Sequence, residues 1–249
     1  MKRKMLFLLF VLLLWSGARP DAAFSVDKWW ICGSDSWTQD GCWWYFDGYT
    51  TYWGPQPVNG DSVYLAPDSI TGGYTVTYDA DSYVSLGDIS VGVGSGSHGT
   101  VTLEITAPNA SIDVINFNVG SGDEFLGISG SGAVVQSGGI VGSYDTTFNT
   151  GTLLSLGVFA GDSGSYTLTN GDLYAKAEKI GDSGSGVFTH DGTTGSNNTT
   201  NYAHELYLGY GATGNGVYNL GAGELTSSFQ YIGYQGKGEF IQSAPLNSH

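Results

Sequence analysis

An internal repeat of 52 residues is the feature that most limits how this chain can fold. The segment IGDSGSGVF at 180–188 aligns with IGYQGKGEF at 232–240, so that Ile, three Gly and Phe coincide. At the same shift, LGVFAGDSGSYTLTNGDL (156–173) aligns with LGYGATGNGVYNLGAGEL (208–225). A unit this small can bury its apolar face only against neighbouring copies, so the repeat indicates a solenoid.

Each repeat divides into two related halves. Apolar-Gly pairs at 156–157, 180–181, 208–209 and 232–233 follow one another at intervals of 24, 28 and 24 residues. Each half combines a Gly-rich turn with short strand-like runs, which fits one rung of a parallel β-helix. Within 166–169, strand alternation predicts that Tyr and Leu point inward and both Thr outward. The stretch from 86 to 243 has room for about six rungs.

The sequence therefore predicts an all-β protein, a right-handed parallel β-helix (solenoid) with an aromatic N-terminal cap. The 40 Gly residues disfavour helices, and short β-branched and aromatic runs between Gly, Asn, Asp and Ser clusters favour strands and turns. Leucine-rich repeats are excluded because their Leu-x-x-Leu-x-Leu pattern is absent. We assign 24–85 to the aromatic cap and entry strands and 86–249 to the β-helix repeats.

The first 23 residues have the layout of a secretory signal peptide. The basic start MKRK precedes the apolar run MLFLLFVLLLW and a group of small residues, and we expect cleavage after Ala18 or Ala23. The apolar run is too short for a typical membrane-spanning helix, so no integral membrane segment is expected once the signal is removed. The sequence thus predicts a secreted or cell-surface protein.

Charge and cysteine content also limit the partners and the compartment. The chain has a net charge of −15, and loss of the basic signal makes the mature protein more acidic. Nucleic acid and anionic lipid are excluded as expected partners because both would repel it. Cys32 and Cys42 lie close together, and in an oxidising compartment they are expected to form a disulfide. No cofactor is predicted.

Six of the seven tryptophans are concentrated in one N-terminal segment. They are Trp29, Trp30, Trp37, Trp43, Trp44 and Trp53. One interpretation is a cap, in which the rings cover the first open end of the β-helix and the disulfide holds the loop in place. The other is an exposed surface on which sugar rings stack. We favour the cap because Trp buries a large apolar area.

The Gly-rich repeat pattern resembles autotransporter-associated β-helix repeats. Matching segments are VGVGSGSHGTVTL, LGISGSGAVVQSGG, KIGDSGSGVF, LYLGYGATGNGVYNL and YIGYQGKGEFIQS. WGPQPVNGDSVYL (53–65) also resembles the entry segment of such proteins, and the resemblance covers roughly 53–243. It implies a surface or secreted bacterial passenger with a β-helix fold, and it implies little about activity.

The last repeat ends as GEFIQSAPLNSH, where the upstream copy continues as VVQSGGIVGS. We interpret this as a truncation after His249 that leaves the last rung uncapped. An uncapped rung exposes strand edges, so self-association through it is expected.

Possible catalytic and metal-binding motifs are explained by the repeat. Gly-Asp-Ser-Gly surrounds both Ser163 and Ser183, as in chymotrypsin-like proteases, but the next copy is GYQGKG at 233–238. A nucleophile is not expected at a variable turn position. The aspartates of these turns lack the compact spacing of a calcium loop, and we interpret them as solvated carboxylates. They are Asp162, Asp172, Asp182 and Asp191.

The expected function is that of an exported, non-enzymatic β-helix protein, a structural or adhesive passenger or a fragment of one. The expected partners are extracellular glycans or a host or neighbouring cell surface. The alternative is a β-helix protein that binds or cleaves polysaccharides, although no paired carboxylates from neighbouring rungs are evident. Asn109, Asn197 and Asn198 are acceptor positions for glycosylation in a host that performs it.

Overall fold

A computed structural model of the protein describes residues 26–46, 50–66, 72–93, 99–121, 129–146, 150–192 and 199–243. This part of the chain is all-β and winds into a parallel β-helix of about five turns, which confirms the predicted fold class. The repeats from 86 to 243 were predicted to have about six rungs, and six strands of this stretch follow one another in one parallel ladder. Within these ranges no helix is long and apolar enough to cross a membrane. The predicted signal peptide lies outside the described residues.

The strands are short near the N-terminus and longer in the repeats. In chain order they are β1 (Asp27–Trp30), β2 (Asp35–Ser36), β3 (Trp43–Phe46), β4 (Thr51–Gly54), β5 (Ser62–Leu65), β6 (Tyr74–Tyr78), β7 (Tyr83–Val91), β8 (Val101–Ile105), β9 (Ser111–Val119), β10 (Ser131–Val141), β11 (Tyr144–Asp145), β12 (Thr150–Gly151), β13 (Leu153–Leu156), β14 (Ser163–Ile180), β15 (Ser185–Asp191), β16 (Thr200–Leu208), β17 (Asn215–Ala222), β18 (Glu224–Ile232) and β19 (Lys237–Gln242).

Three parallel ladders run along the β-helix, because each turn contributes a segment to each ladder. The first ladder contains β6, β8, the starts of β10 and β14, then β15, β17 and β19. The second ladder contains the first halves of β7, β9, β16 and β18, together with later parts of β10 and β14. The third ladder contains the second halves of β7, β9, β16 and β18, together with β1, β5, β13 and the end of β14.

From β7 onward, an apolar residue followed by Gly ends each turn in the third ladder. Leu156 pairs with Ile180, which pairs with Leu208, so each predicted half-repeat corresponds to one turn. The glycine after Leu156, Gly157, has φ +64, and a Cβ on it would lie 2.3 Å from the carbonyl oxygen of Ser185. Because other residues avoid this φ and the next turn leaves no room for a side chain, the position requires Gly.

The predicted alternation in the run 166–169 is confirmed. Tyr166 and Leu168 are fully buried, whereas Thr167 and Thr169 are partly exposed on the outer face. The same alternation continues through the strands that pair with this segment, so one side of each strand faces a continuous apolar core.

Four aromatic rings stack through consecutive turns of this core. The centroid of the Tyr166 ring lies 5.1 Å from that of Phe188, and Phe188 lies 4.8 Å from Tyr218. Tyr218 in turn lies 5.3 Å from Phe240, and all three pairs are close to parallel. The stack follows from equivalent positions in successive turns, because a parallel ladder places them one above another.

The N-terminal strands combine the parallel ladders with an antiparallel sheet. β1 pairs in parallel with β5 on one side and antiparallel with β3 on the other, and β3 pairs antiparallel with β4. The predicted boundary at residue 86 does not mark a break in the ladders, since β7 crosses it and β6 already pairs with β8. The aromatic segment and the repeats therefore share one sheet.

The opposite end of the described chain exposes apolar side chains. Ile232 ends β18 and is 54% exposed, although its neighbour in the preceding turn, Leu208, is fully buried. Ile241 on β19 is 43% exposed. Self-association through this rung remains a prediction.

Candidate functional site

The six N-terminal tryptophans divide into two groups of three, and the first group is buried. Trp30, Trp37 and Trp43 are each at most 2% exposed. The ring of Trp43 lies edge-to-face against the other two, with centroids 5.0 Å from Trp30 and 4.7 Å from Trp37. The indole N–H groups of Trp30 and Trp43 donate to the carbonyl oxygens of Gly33 and Trp37. These rings are core residues of the N-terminal cap.

The other three tryptophans line up across neighbouring strands on the outer face. Trp53 on β4 is opposite Trp44 on β3, and Trp44 is opposite Trp29 on β1. Trp29 is opposite Tyr64 on β5, and these two rings stack with centroids 4.5 Å apart. We call Trp53, Trp44, Trp29 and Tyr64 the aromatic row. Trp53 is 72% exposed, the highest fraction among the large exposed hydrophobic residues of the described chain.

The division between the two groups follows from strand geometry. Trp29 and Trp30 are consecutive residues of β1, and Trp43 and Trp44 are consecutive residues of β3. Successive side chains of a strand point to opposite faces, so each pair must place one indole inside and one outside. The two interpretations of the tryptophans thus apply to different residues: one group forms the cap, and the other is available for ligands.

The outer tryptophans border an apolar surface depression of about 570 Å³, which we call the aromatic hollow. It is lined by Trp29, Trp30, Ile31, Cys32, Trp44, Trp53 and Ala66. The predicted Cys32–Cys42 disulfide is present, with the Cα atoms 5.1 Å apart. Since it connects the start of β3 to the chain after β1, it constrains the loop on which the hollow is built. Apolar depressions with aromatic walls are typical small-ligand sites.

Carboxylates lie beside the aromatic row. Burial raises the pKa of the Tyr64 hydroxyl, and the charges of Asp27 and Asp88 raise it further. Asp88 accepts hydrogen bonds from the amide of Asn116 at 2.6 Å and from the hydroxyl of Ser62 at 3.3 Å. These acceptors could hold sugar hydroxyls, and their charge disfavours an anionic ligand.

The cation of this region is held away from solvent. Lys28 is 4% exposed, and its ammonium donates to the carbonyl oxygen of Pro55 and lies 4.3 Å from the centroid of the Tyr45 ring. Burial lowers the pKa of Lys28, and the charge of Asp61 opposes this effect. Its hydrogen bond and ring contact therefore stabilise the hairpin, and the residue has a structural role.

The Gly-Asp-Ser-Gly segment at 181–184 lies in a turn between ladders, and the one at 161–164 runs from a turn into the start of β14. The hydroxyl of Ser163 donates to the hydroxyl of Ser131, and the backbone N–H of Ser183 donates to the carbonyl oxygen of Gly157. His190 forms its hydrogen bonds with other groups. The described residues thus join neither serine to a histidine through a hydrogen bond.

The turn aspartates bind neighbouring backbone or side-chain groups. The carboxylate of Asp162 accepts from the backbone N–H groups of Phe159 and Gly130, and the residue is 2% exposed, so its interpretation as a solvated carboxylate is wrong. Asp182 lies 3.7 Å from the ammonium of Lys179. Among the residues that the structure describes, no three His, Cys, Asp or Glu side chains lie where they could share a metal ion. Of the glycosylation positions, 109 is exposed, whereas 197 and 198 lie outside the described residues.

A cluster of polar side chains, which sequence reasoning missed, lies inside the β-helix. We call Glu178, His190, Asn201 and Tyr218 the interior polar cluster; each is fully buried. The amide of Asn201 donates to Glu178 Oε2 at 3.2 Å and to the Tyr218 hydroxyl at 3.0 Å. His190 Nδ1 lies 3.2 Å from the same hydroxyl, and Nε2 lies 3.3 Å from the carbonyl oxygen of Thr199. Because that carbonyl can only accept, His190 carries its proton on Nε2.

Two acceptor atoms of this cluster have no partner within the described chain. They are Glu178 Oε1 and Asn201 Oδ1. A proton on Glu178 Oε1 turns that atom into a donor, so the carboxyl group no longer holds an unpartnered buried acceptor with a negative charge. Burial also raises the pKa of Glu178 to about 8, although the hydrogen bond from Asn201 lowers it. Both observations indicate that Glu178 is neutral at pH 7. Because its side chain is also buried inside the β-helix, away from the outer face, it has a structural role.

No known family model matches the chain, and neither curated proteins nor solved structures give a match. The resemblance to autotransporter-associated β-helix repeats therefore stays a prediction from the residues that carry it.

Proposed function

We propose that this is an exported, non-enzymatic β-helix protein that acts as a surface adhesin and binds extracellular glycans through the aromatic hollow. The observation that carries the proposal is the alignment of the half-buried Trp29 and Trp44 with the exposed Trp53 on one face, beside a mostly apolar depression. Indole faces bind the apolar faces of sugar rings, and neighbouring acceptors bind their hydroxyl groups.

The charge of the protein supports neutral glycans as the ligands. The chain has a net charge of −15, and Asp27 and Asp88 flank the aromatic row. An anionic polysaccharide would meet repulsion both at long range and at the site. The resemblance to autotransporter-associated repeats supports the same assignment to the cell surface or the secreted fraction, as does the predicted signal peptide.

Trp53→Ala is expected to weaken binding of a neutral glycan by about tenfold, because Trp53 is the most exposed ring of the aromatic row and its loss removes one stacking face. Affinity would be measured for glycans first identified on an array of neutral and anionic glycans. Tyr83→Ala is the matched control, since Tyr83 is also a highly exposed aromatic residue and lies outside the hollow. Equal affinities of the two variants would contradict the proposal.

The same glycans serve to test the alternative function. A product assay on each bound glycan is expected to show no cleavage by the mature protein. Hydrolysis that one Asp or Glu substitution abolishes would establish a polysaccharide-cleaving enzyme, and the assignment as an adhesin would then be wrong.

A further inference from the structure

A second aromatic surface lies near the other end of the β-helix. We call Tyr207, Tyr210, Tyr231 and Tyr234 the tyrosine cluster. Tyr207 stacks on Tyr231 with ring centroids 4.7 Å apart, and Tyr210 stacks on Tyr234 at 5.5 Å. The two pairs meet edge-to-face, with Tyr207 and Tyr234 at 5.2 Å. Two tyrosines at this end are open to solvent, since Tyr231 is 37% and Tyr234 47% exposed.

Hydrogen-bonding and charged groups border this cluster. The hydroxyl of Tyr207 donates to Glu205 Oε2 at 3.2 Å. The ammonium of Lys179 lies 4.1 Å from the centroid of the Tyr210 ring and 3.7 Å from a carboxylate oxygen of Asp182. The surface thus combines flat apolar rings with both acceptors and a donor, which is the chemistry that a polyhydroxylated ring requires.

The tyrosine cluster and the aromatic row occupy the same outward position of the third ladder. From Tyr64 the register runs through three small polar residues to Lys179, then to Tyr207 and Tyr231. The small residues are Ser90, Asn118 and Ser155. A straight line along the ladder therefore starts beside the tryptophans and ends on the tyrosines. Between them it passes Ser90 and Ser155, which are buried beneath the surface, and then Lys179, so the two aromatic surfaces are the accessible parts of this line.

The separation of the two surfaces follows from the number of strands between them. Five ladder steps separate Tyr64 from Tyr207. At ~4.8 Å a step this gives roughly 24 Å. A disaccharide is too short to contact both surfaces, whereas a long linear glycan laid along the ladder reaches from one to the other.

We propose that the protein binds an extended, neutral, linear polysaccharide along the outer face of the third ladder, with the aromatic hollow and the tyrosine cluster as its two contact points. This inference rests on the proposed function, because it assumes that the aromatic hollow binds sugars. It adds the polymeric class of the ligand and a second binding surface. Joining two weak contacts on one chain increases the overall affinity strongly with ligand length.

The test uses β-1,4-linked glucose oligomers, from the disaccharide to the octasaccharide, as the probe and the full mature protein. Wild type is expected to bind the octasaccharide at least about tenfold more tightly than the disaccharide. The double variant Y231A/Y234A is expected to lose this advantage. The variant Y231F/Y234F keeps the stacked rings and is expected to retain it. Unfolding midpoints of all three proteins show whether each is folded.

Each possible result decides between the two proposals. Equal affinity of wild type for all lengths, or an unchanged length dependence in folded Y231A/Y234A, would overturn the two-contact inference and leave the hollow as a site for short glycans. Absence of binding at every length, together with no ligand on the glycan array, would overturn the proposed function itself. A length dependence that needs the tyrosine rings supports both.

Discussion

Glu178→Gln is expected to raise the free energy of unfolding by about 3 kcal/mol at pH 7. In the unfolded chain this carboxyl ionises with its ordinary pKa of 4.5, whereas burial raises its pKa in the folded protein to about 8. Between these values the folded state binds more protons than the unfolded state. The contribution of Glu178 to the free energy of unfolding of the wild type is therefore greatest below about pH 4.5. It falls by ~1.4 kcal/mol per pH unit until about pH 8.

The substitution removes this loss without removing the hydrogen bonds. The Gln amide stays neutral, its oxygen accepts from the Asn201 amide as Glu178 Oε2 does, and its N–H takes the place of the acid proton. Burial lowers the pKa of His190, so both proteins lose stability in acid, and the comparison between them isolates Glu178. No further rearrangement of the interior polar cluster is needed.

Urea unfolding at about pH 5, 7 and 9 measures the effect. The gap between Glu178→Gln and wild type is expected to widen from pH 5 to pH 9. Glu239→Gln makes the same chemical change at an exposed position of β19 and is expected to follow wild type. A constant gap across this range would show that Glu178 is ionised in the folded protein, contrary to the arrangement of its buried acceptors.

Phe188→Ala is expected to lower the free energy of unfolding by about 3–5 kcal/mol. The ring is fully buried and stacks on Tyr166 on one side and on Tyr218 on the other. Its removal leaves a cavity in the middle of the aromatic stack and deletes two ring contacts. The same two tyrosines bind the polar groups Gln136 and Asn201, so the substitution also loosens the cluster around them.

Val187→Ala is the matched control for this prediction. Val187 precedes Phe188 in β15 but faces outward and is 38% exposed. We expect it to cost less than about 1 kcal/mol, as for most exposed positions. Denaturant midpoints for both variants at one pH give the comparison. Similar losses for the two variants would show that the inward stack does not carry the stability of these turns.

Much of the repeat architecture could be predicted because a parallel β-helix uses equivalent positions in successive turns. The apolar-Gly pairs mark the end of each turn, since Leu156, Ile180 and Leu208 stack in one ladder and the following Gly has a conformation that other residues avoid. The start of the ladders was harder to predict. β5 ends on Leu65, which is followed by Ala66 instead of Gly, yet it pairs with β7 in the same register.

The sequence already pointed to both roles of the tryptophans, as cap and as ligand surface. The two roles were considered as alternatives for all six residues together. Two Trp-Trp pairs in strands must divide their rings between the faces, which explains why Trp30 is buried while Trp29 is on the surface. Which member faces the core depends on the register with β5, and local sequence does not determine that pairing.

The interior position of Glu178 could not be predicted from strand alternation. Residues 175, 177 and 178 are all buried, because the chain changes its inward phase where the second ladder passes into the third. Comparison with its ladder neighbours identifies the position as a core one: Leu154 and Leu206 lie on either side of Glu178 and are buried. The tyrosine cluster had a clearer signal, since Tyr207 and Tyr231 are 24 residues apart, which is the half-repeat spacing.

The central claim is that the outer tryptophans bind glycans while the inner ones form the cap. The indole N–H resonances of the mature protein, followed by nuclear magnetic resonance during titration with the β-1,4-linked glucose octasaccharide, test it directly. The account predicts that the signals of Trp29, Trp44 and Trp53 shift. The signal of Trp43, which does not line the hollow and whose N–H donates to the carbonyl oxygen of Trp37 inside the cap, should stay unchanged. Saturable binding that leaves the three outer indole signals in place would contradict the account.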